Sequence, residues 1–115
     1  MNRTTNKSKP DAKSVEVDFD YESPSAGQVY LTGDFNNWDF HSLPMKKDKG
    51  GLWRLTLRLK PGVYQYRFIV DGDWQNDPFA CGYHPNEFGS SNCILEVRVD
   101  SQKQRASLRP LAPLT

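Results

Sequence analysis

The chain has little that is apolar for long. No stretch of its 115 residues approaches the roughly 20 consecutive apolar residues of a membrane-spanning helix, so no membrane partner is expected. Residues 1–13 hold no apolar run either, which predicts no secretory signal and a cytoplasmic location. Two cysteines are too few for a disulfide framework, and in a reducing compartment both should be free thiols. Aromatic residues are missing from both ends: all 14 lie between Phe19 and Phe88. Hydrophobic residues make up only 37% of the chain, so these rings must supply much of any core. One domain is expected at this length.

Positive charge is scarce in the middle. Residues 1–13 carry four bases against one acid, and residues 101–115 carry three bases and no acid, so each end is net +3. Residues 14–100 then hold 8 bases and 13 acids, a net −5. An acidic folded region argues against nucleic acid as a partner, because phosphate binding needs a basic surface. The two ends read as flexible basic tails, disordered over 1–13 and over 101–115, where Pro110 and Pro113 oppose a helix.

Between the tails the pattern has period two. Val15, Val17, Phe19 and Tyr21 alternate with Glu16, Asp18 and Asp20, as in a half-buried strand. A second strand is expected at Val29–Thr32, closed by Gly33, and a short one near Met45–Lys47. Trp53, Leu55, Leu57 and Leu59 form one apolar row, and Tyr64, Tyr66, Phe68 and Val70 form another. Asp71-Gly72 predicts a tight turn, followed by a strand stub at Trp74–Gln75 and a long loop to Asn92. Cys93, Leu95, Val97 and Val99 complete a last row. No window has helical period. The pattern predicts an all-β, antiparallel β-sandwich over 14–100.

Two tryptophans break these rows. Trp38 follows the turn-forming run Gly33-Asp34-Phe35-Asn36-Asn37, and Trp74 stands between Asp73 and Gln75. Each is either a lid closing one end of the sandwich or an exposed platform. A platform suits sugar: indole covers the C–H face of a glucose ring, while amides, hydroxyls and guanidinium groups pair with its rim. Asn36, Asn37, Arg67, Gln75, Asn76, Ser90 and Asn92 offer such groups.

Three segments carry a resemblance. Val29-Tyr30-Leu31-Thr32-Gly33-Asp34-Phe35-Asn36-Asn37-Trp38, Tyr64–Trp74 with Asn76-Asp77-Pro78, and Phe88-Gly89-Ser90-Ser91-Asn92 occur in order. Together they resemble the glycogen-binding domain of AMP-activated protein kinase β-subunits. That domain belongs to carbohydrate-binding module family 48, related to early-set domains of branching and debranching enzymes, and the resemblance implies an immunoglobulin-like (early-set) antiparallel β-sandwich. The resemblance covers about residues 27–99. It implies non-catalytic binding of an α-1,4-glucan such as glycogen, starch or a maltooligosaccharide. Stacking would fall to Trp38 and Trp74, with Arg67, Phe88, Ser90 and Asn92 as further contacts. Arg67 stands where the family has lysine, which keeps the charge and changes its geometry. Phe88 stands where it has leucine, a bulkier wedge. The stretch 79–87, with Cys81, Tyr83 and His84, departs from the family pattern. A protein-interaction or regulatory module that keeps the fold stays open, as does one that targets a separate enzyme, of glycogen metabolism or a kinase, to glycogen.

Other chemistries lack their residues. Asp71, Asp73 and Asp77 fail the EF-hand spacing, because Asn76 and Gly82 stand where Gly and Glu are required. His41, His84, Cys81 and Cys93 show no zinc-ligand spacing. No metal or cofactor is expected. A glycosidase needs two carboxylates facing across an enclosed cleft, and the acids here fall on turns and polar strand faces. No enzyme activity is expected.

Overall fold

The computed structural model describes residues 14–108. The tail expected over 1–13, and residues 109–115 of the other, lie outside them. Nine strands and one short 3-10 turn, with no α-helix among the described residues, build two sheets. The first sheet contains β1 (Val15–Glu22), β3 (Lys46–Lys47), β4 (Leu52–Leu59) and β9 (Lys103–Arg105), in the order β3-β4-β1-β9. The second contains β2 (Val29–Gly33), β5 (Gly62–Val70), β7 (Gly82–Pro85) and β8 (Ser91–Val97), in the order β2-β5-β8-β7. A three-residue strand, β6 (Asp73–Gln75), hairpins back onto β5.

The rows expected from alternation face inward. β1 and β4 run antiparallel from Val15 opposite Leu59 to Glu22 opposite Leu52. β2 pairs with β5, and β5 with β8, also antiparallel. The inner faces bury Val15, Val17, Phe19, Leu31, Tyr66, Phe68, Cys93, Leu95 and Val97. Rings fill much of the space. Phe19 meets Tyr66 at 5.4 Å, nearly perpendicular, and Tyr66 meets Phe68 at 5.8 Å in the same manner. Edge-to-face packing is the arrangement that ring quadrupoles favour.

The sequence reading departs from the structure in three places. The stretch expected as one long loop up to Asn92 contains β7, which pairs with β8 from Gly82 opposite Ile94 to Pro85 opposite Ser91. Pro85 cannot donate to a ladder, and β7 accordingly lies at the sheet edge. The last apolar row stops at Val97. Val99 is exposed, because the chain turns at Arg98–Ser101 to change sheets. The segment expected as a flexible tail from 101 contains β9, which pairs parallel to β1. Lys103 and Arg105 then lie against the acidic row of β1, with Lys103 Nζ 3.8 Å from Asp18 and Arg105 3.7 Å from Asp20. The exposed Lys103 pair contributes little alone, whereas Asp20 is buried and its pair with Arg105 is screened less. Burial of Gln104 and Ala106 adds to them: the Gln104 amide donates to the Glu96 carbonyl and accepts from Arg98 N.

At the end of β2 the strands pack tightly. A Cβ on Gly33 would sit 2.5 Å from the Gln65 carbonyl oxygen and 2.8 Å from the Phe35 ring. Gly33→Ala is therefore expected to cost about 1–3 kcal/mol through overpacking. A urea melt showing no loss would mean that β2 and β5 separate easily.

Candidate functional site

Trp38 is presented by a strained loop. Asn37 and Trp38 both have left-handed backbones, with φ of 56° and 59°. Such a conformation costs a bulky residue on the order of 1–3 kcal/mol and persists only where its surroundings impose it. Here Trp38 N donates to the Gly33 carbonyl at 2.9 Å, and the indole Nε1 donates to Asp34 Oδ1 at 3.1 Å. Asp34 Oδ2 accepts from Gln65 N on β5 at 2.7 Å, so the loop is tied to the sheet. Asn36 does not offer its side chain to a ligand. Its Oδ1 accepts from Gly33 N, and its Nδ2 donates to the Asp39 carbonyl and to Ser42 Oγ.

Trp74 is set by the β5–β6 hairpin. Asp71 at the turn has φ of 50°, and its carboxylate accepts from Gly27 N and Gln28 N, each at 2.9 Å. This clasp fixes the hairpin, and Trp74 pairs with Ile69 across it. Arg67 stands over Trp74, its Cζ 5.4 Å from the ring centroid. Asn76 holds Arg67 through Nε at 2.8 Å and itself donates to Ser91 Oγ at 3.1 Å. Asn76 is thus a bracket for Arg67.

The third segment is organised by one side chain. Asn86 Oδ1 accepts from Phe88 N at 2.9 Å and from Ser90 N at 3.1 Å. Its Nδ2 donates to Asn92 Oδ1 at 3.1 Å. Asn92 in turn donates to Gln65 Oε1 at 3.0 Å. The loop projects Phe88 outward with 85% of its surface exposed.

All six residues expected at the site, Trp38, Arg67, Trp74, Phe88, Ser90 and Asn92, line one open groove of about 990 Å³. The two indoles are neighbours, with centroids 6.4 Å apart and planes inclined by 37°. Asp34, Phe40, Gln65, His84 and Glu87 also line the groove. Phe40 and the organiser Asn86, which also lines the groove, were given no role from the sequence. Phe40 is one ring in an irregular stretch, and the only trace of Asn86's role is an Asn three residues ahead of Gly89. A second cavity of about 360 Å³ lies against Asp20, Tyr21, Asp77 and Phe79, and none of the six lines it.

The groups with shifted pKa values lie elsewhere. Burial pushes the Cys93 thiol up to about 12, so it stays protonated as a core residue. Asp77 is buried. Its carboxylate accepts from Tyr66 OH at 2.9 Å, Phe79 N at 2.9 Å and Ser107 Oγ at 3.3 Å. Loss of hydration still outweighs these bonds and raises its pKa above the ordinary value. A carboxyl raised on folding binds its proton more tightly in the native state. Its contribution to stability is therefore present below the ordinary carboxylate range, about 3.9, and is lost as pH rises through the raised value. The stability difference between wild type and Asp77→Asn should accordingly shift against wild type as pH rises from about 3.5 to 7. Urea melts across that range test this, and a shift in the opposite sense would contradict the assigned direction. No group of three or more His, Cys, Asp or Glu among the described residues could hold a metal ion.

The sandwich thus gathers two indoles and several polar side chains, from strands and loops, along one groove. The family model described as the glycogen recognition site of AMP-activated protein kinase matches residues 15–103, and the chain belongs to this family. The chain is 48% identical over 54 residues to Protein PTST homolog 2, chloroplastic, of Arabidopsis thaliana. It is 46% identical over 75 residues to Protein FLOURY ENDOSPERM 6, chloroplastic, of Oryza sativa subsp. japonica. Over 87 residues it is 36% identical to 5'-AMP-activated protein kinase subunit beta-1 of Rattus norvegicus. These matches cover 47%, 65% and 66% of the chain but only 10%, 14% and 31% of the three relatives.

Proposed function

We propose that the groove binds α-1,4-glucan without modifying it. Trp38 and Trp74 stack on neighbouring glucose rings, Arg67, Ser90 and Asn92 fix hydroxyls, and Phe88 fills the concave side of the curved chain. The observation that carries this reading is the meeting of three separate segments at one groove with two inclined indoles. A surface bent by 37° suits a chain that curves from ring to ring, and a flat β-1,4 chain lies against only one plane at a time. The Ser90 hydroxyl is exposed and has no partner among the described residues, so it is free for a sugar. Arg67 is already positioned, which lowers the ordering cost of binding.

A second reading is favoured by the relatives. One is a kinase subunit by name, and the chain spans a minor part of each of the three relatives. The module then serves to bring a kinase or a glucan-metabolising enzyme to the polymer, and has no catalytic group of its own. Two of the names read chloroplastic, so a plastid stands beside the expected cytoplasm. Co-sedimentation tests the binding itself. The chain should pellet with insoluble amylose and glycogen and stay in the supernatant with cellulose. Equal pelleting with all three would sink the α-glucan assignment.

A further inference from the structure

The aromatic surface does not end at the two tryptophans. Phe40 meets Trp74 edge to face, with centroids 5.4 Å apart and planes at 89°. Phe40 also meets His41 at 6.4 Å and 72°, and His41 stands nearly perpendicular to Tyr30 at 5.2 Å. A continuous run of rings therefore leads from Trp38 through Trp74, Phe40 and His41 to Tyr30 on β2. Phe40 lines the groove and is half exposed, so burial in the core does not account for its position.

The segment that carries these rings is held at both ends. Upstream, Asn36 binds the Asp39 carbonyl and Ser42 Oγ, and His41 N donates to Asp39 Oδ1 at 2.8 Å. Downstream, the Leu43 carbonyl accepts from Leu31 N at 3.0 Å, and Met45 N donates to the Val29 carbonyl at 2.9 Å, both along the edge of β2. The rings are thus placed before any ligand arrives, and a placed ring costs less to use than a mobile one.

We infer that Phe40 and His41 form a further sugar subsite, taken up by α-glucan chains longer than the two tryptophans can cover. The inference rests on the carbohydrate-binding reading above. Phe40 offers a ring face to the C–H side of a sugar, and His41 offers ring nitrogens to its hydroxyls. Tyr30 braces His41 from the strand. The turn of nearly 90° between Trp74 and Phe40 suits a chain that bends as it leaves the tryptophans. A chain already held there gains this contact without a second association cost.

Calorimetric titration of the full chain with maltotriose and maltoheptaose tests the subsite, using wild type, Phe40→Ala, His41→Ala and, for reference, Trp74→Ala. Phe40→Ala should weaken maltoheptaose about tenfold, or about 1.4 kcal/mol, and change maltotriose by less than about twofold. His41→Ala should weaken maltoheptaose alone, by about threefold. Both variants should melt like wild type, because both rings are on the surface. Equal losses for the two sugars would overturn the subsite, since Phe40 would then act only by orienting Trp74. Unchanged maltoheptaose binding in both variants, with Trp74→Ala still deficient, would overturn the subsite and leave the two-tryptophan reading standing. Failure of wild type to bind maltoheptaose would remove that reading and the subsite with it.

Discussion

Trp53→Ala is expected to cost about 3–5 kcal/mol of stability. Trp53 is 6% exposed and sits on β4, paired with Tyr21 of β1 and Lys47 of β3. Its indole Nε1 donates to the Ser23 carbonyl at 2.9 Å, and Lys47 Nζ stands 5.5 Å from its ring centroid. Truncation removes buried apolar area, leaves a cavity and takes away one of the two hydrogen bonds that the Ser23 carbonyl accepts, the other coming from Ala26 N at 3.3 Å. Domains of this kind have only about 5–15 kcal/mol in total, so the variant should be marginal at room temperature. Trp53→Phe keeps most of the volume and loses the hydrogen bond, and should fall between the two. A thermal melt decides: an unchanged midpoint for the alanine variant would mean that β4 faces the other way.

Trp74→Ala should have the opposite signature. Trp74 is 41% exposed and Trp38 is half-buried, so neither supports the core as Trp53 does. Loss of either ring should weaken glucan binding by about 1–3 kcal/mol, the range seen for aromatic stacking platforms. Trp74→Ala also leaves Arg67 without its ring partner, which places the larger loss at Trp74. Trp38→Gly separates binding from folding more sharply still. Glycine relieves the left-handed strain at φ of 59° while deleting the platform. Its melting temperature should hold or rise while binding falls. A variant that binds normally would move the site away from the groove, and one that unfolds would make that tryptophan a lid on the sandwich.

Much of this contrast was legible in residue spacing. Trp53 falls in step with Leu55, Leu57 and Leu59, and that row packs into or against the core. Trp38 and Trp74 fall in step with nothing, and both stand at the surface. Alternation reports which side of a sheet a residue takes, so it serves the long strands β1, β4, β5 and β8 well. It fails where a strand forms for other reasons. β7 contains Gly82 and Pro85 and has no apolar row; it exists because β8 offers it an edge. β9 is three polar residues placed by the acids of β1 and by the two backbone bonds of Gln104. Phe40 was missed for a related reason. Trp74, the ring it meets, stands on the separate β5–β6 hairpin, and no local pattern encodes their meeting.

The most direct test is titration of the full chain with maltoheptaose, cellohexaose and glucose in one buffer. An open groove buries one side of each sugar ring, so affinity should be modest. Maltoheptaose should bind with a dissociation constant in the roughly micromolar to millimolar range, about −4 to −8 kcal/mol. Glucose should bind far more weakly, because it engages one ring and bears the whole association entropy. Cellohexaose should show no comparable binding. Cellohexaose binding as tightly as maltoheptaose, or glucose binding as tightly as either, would contradict the account.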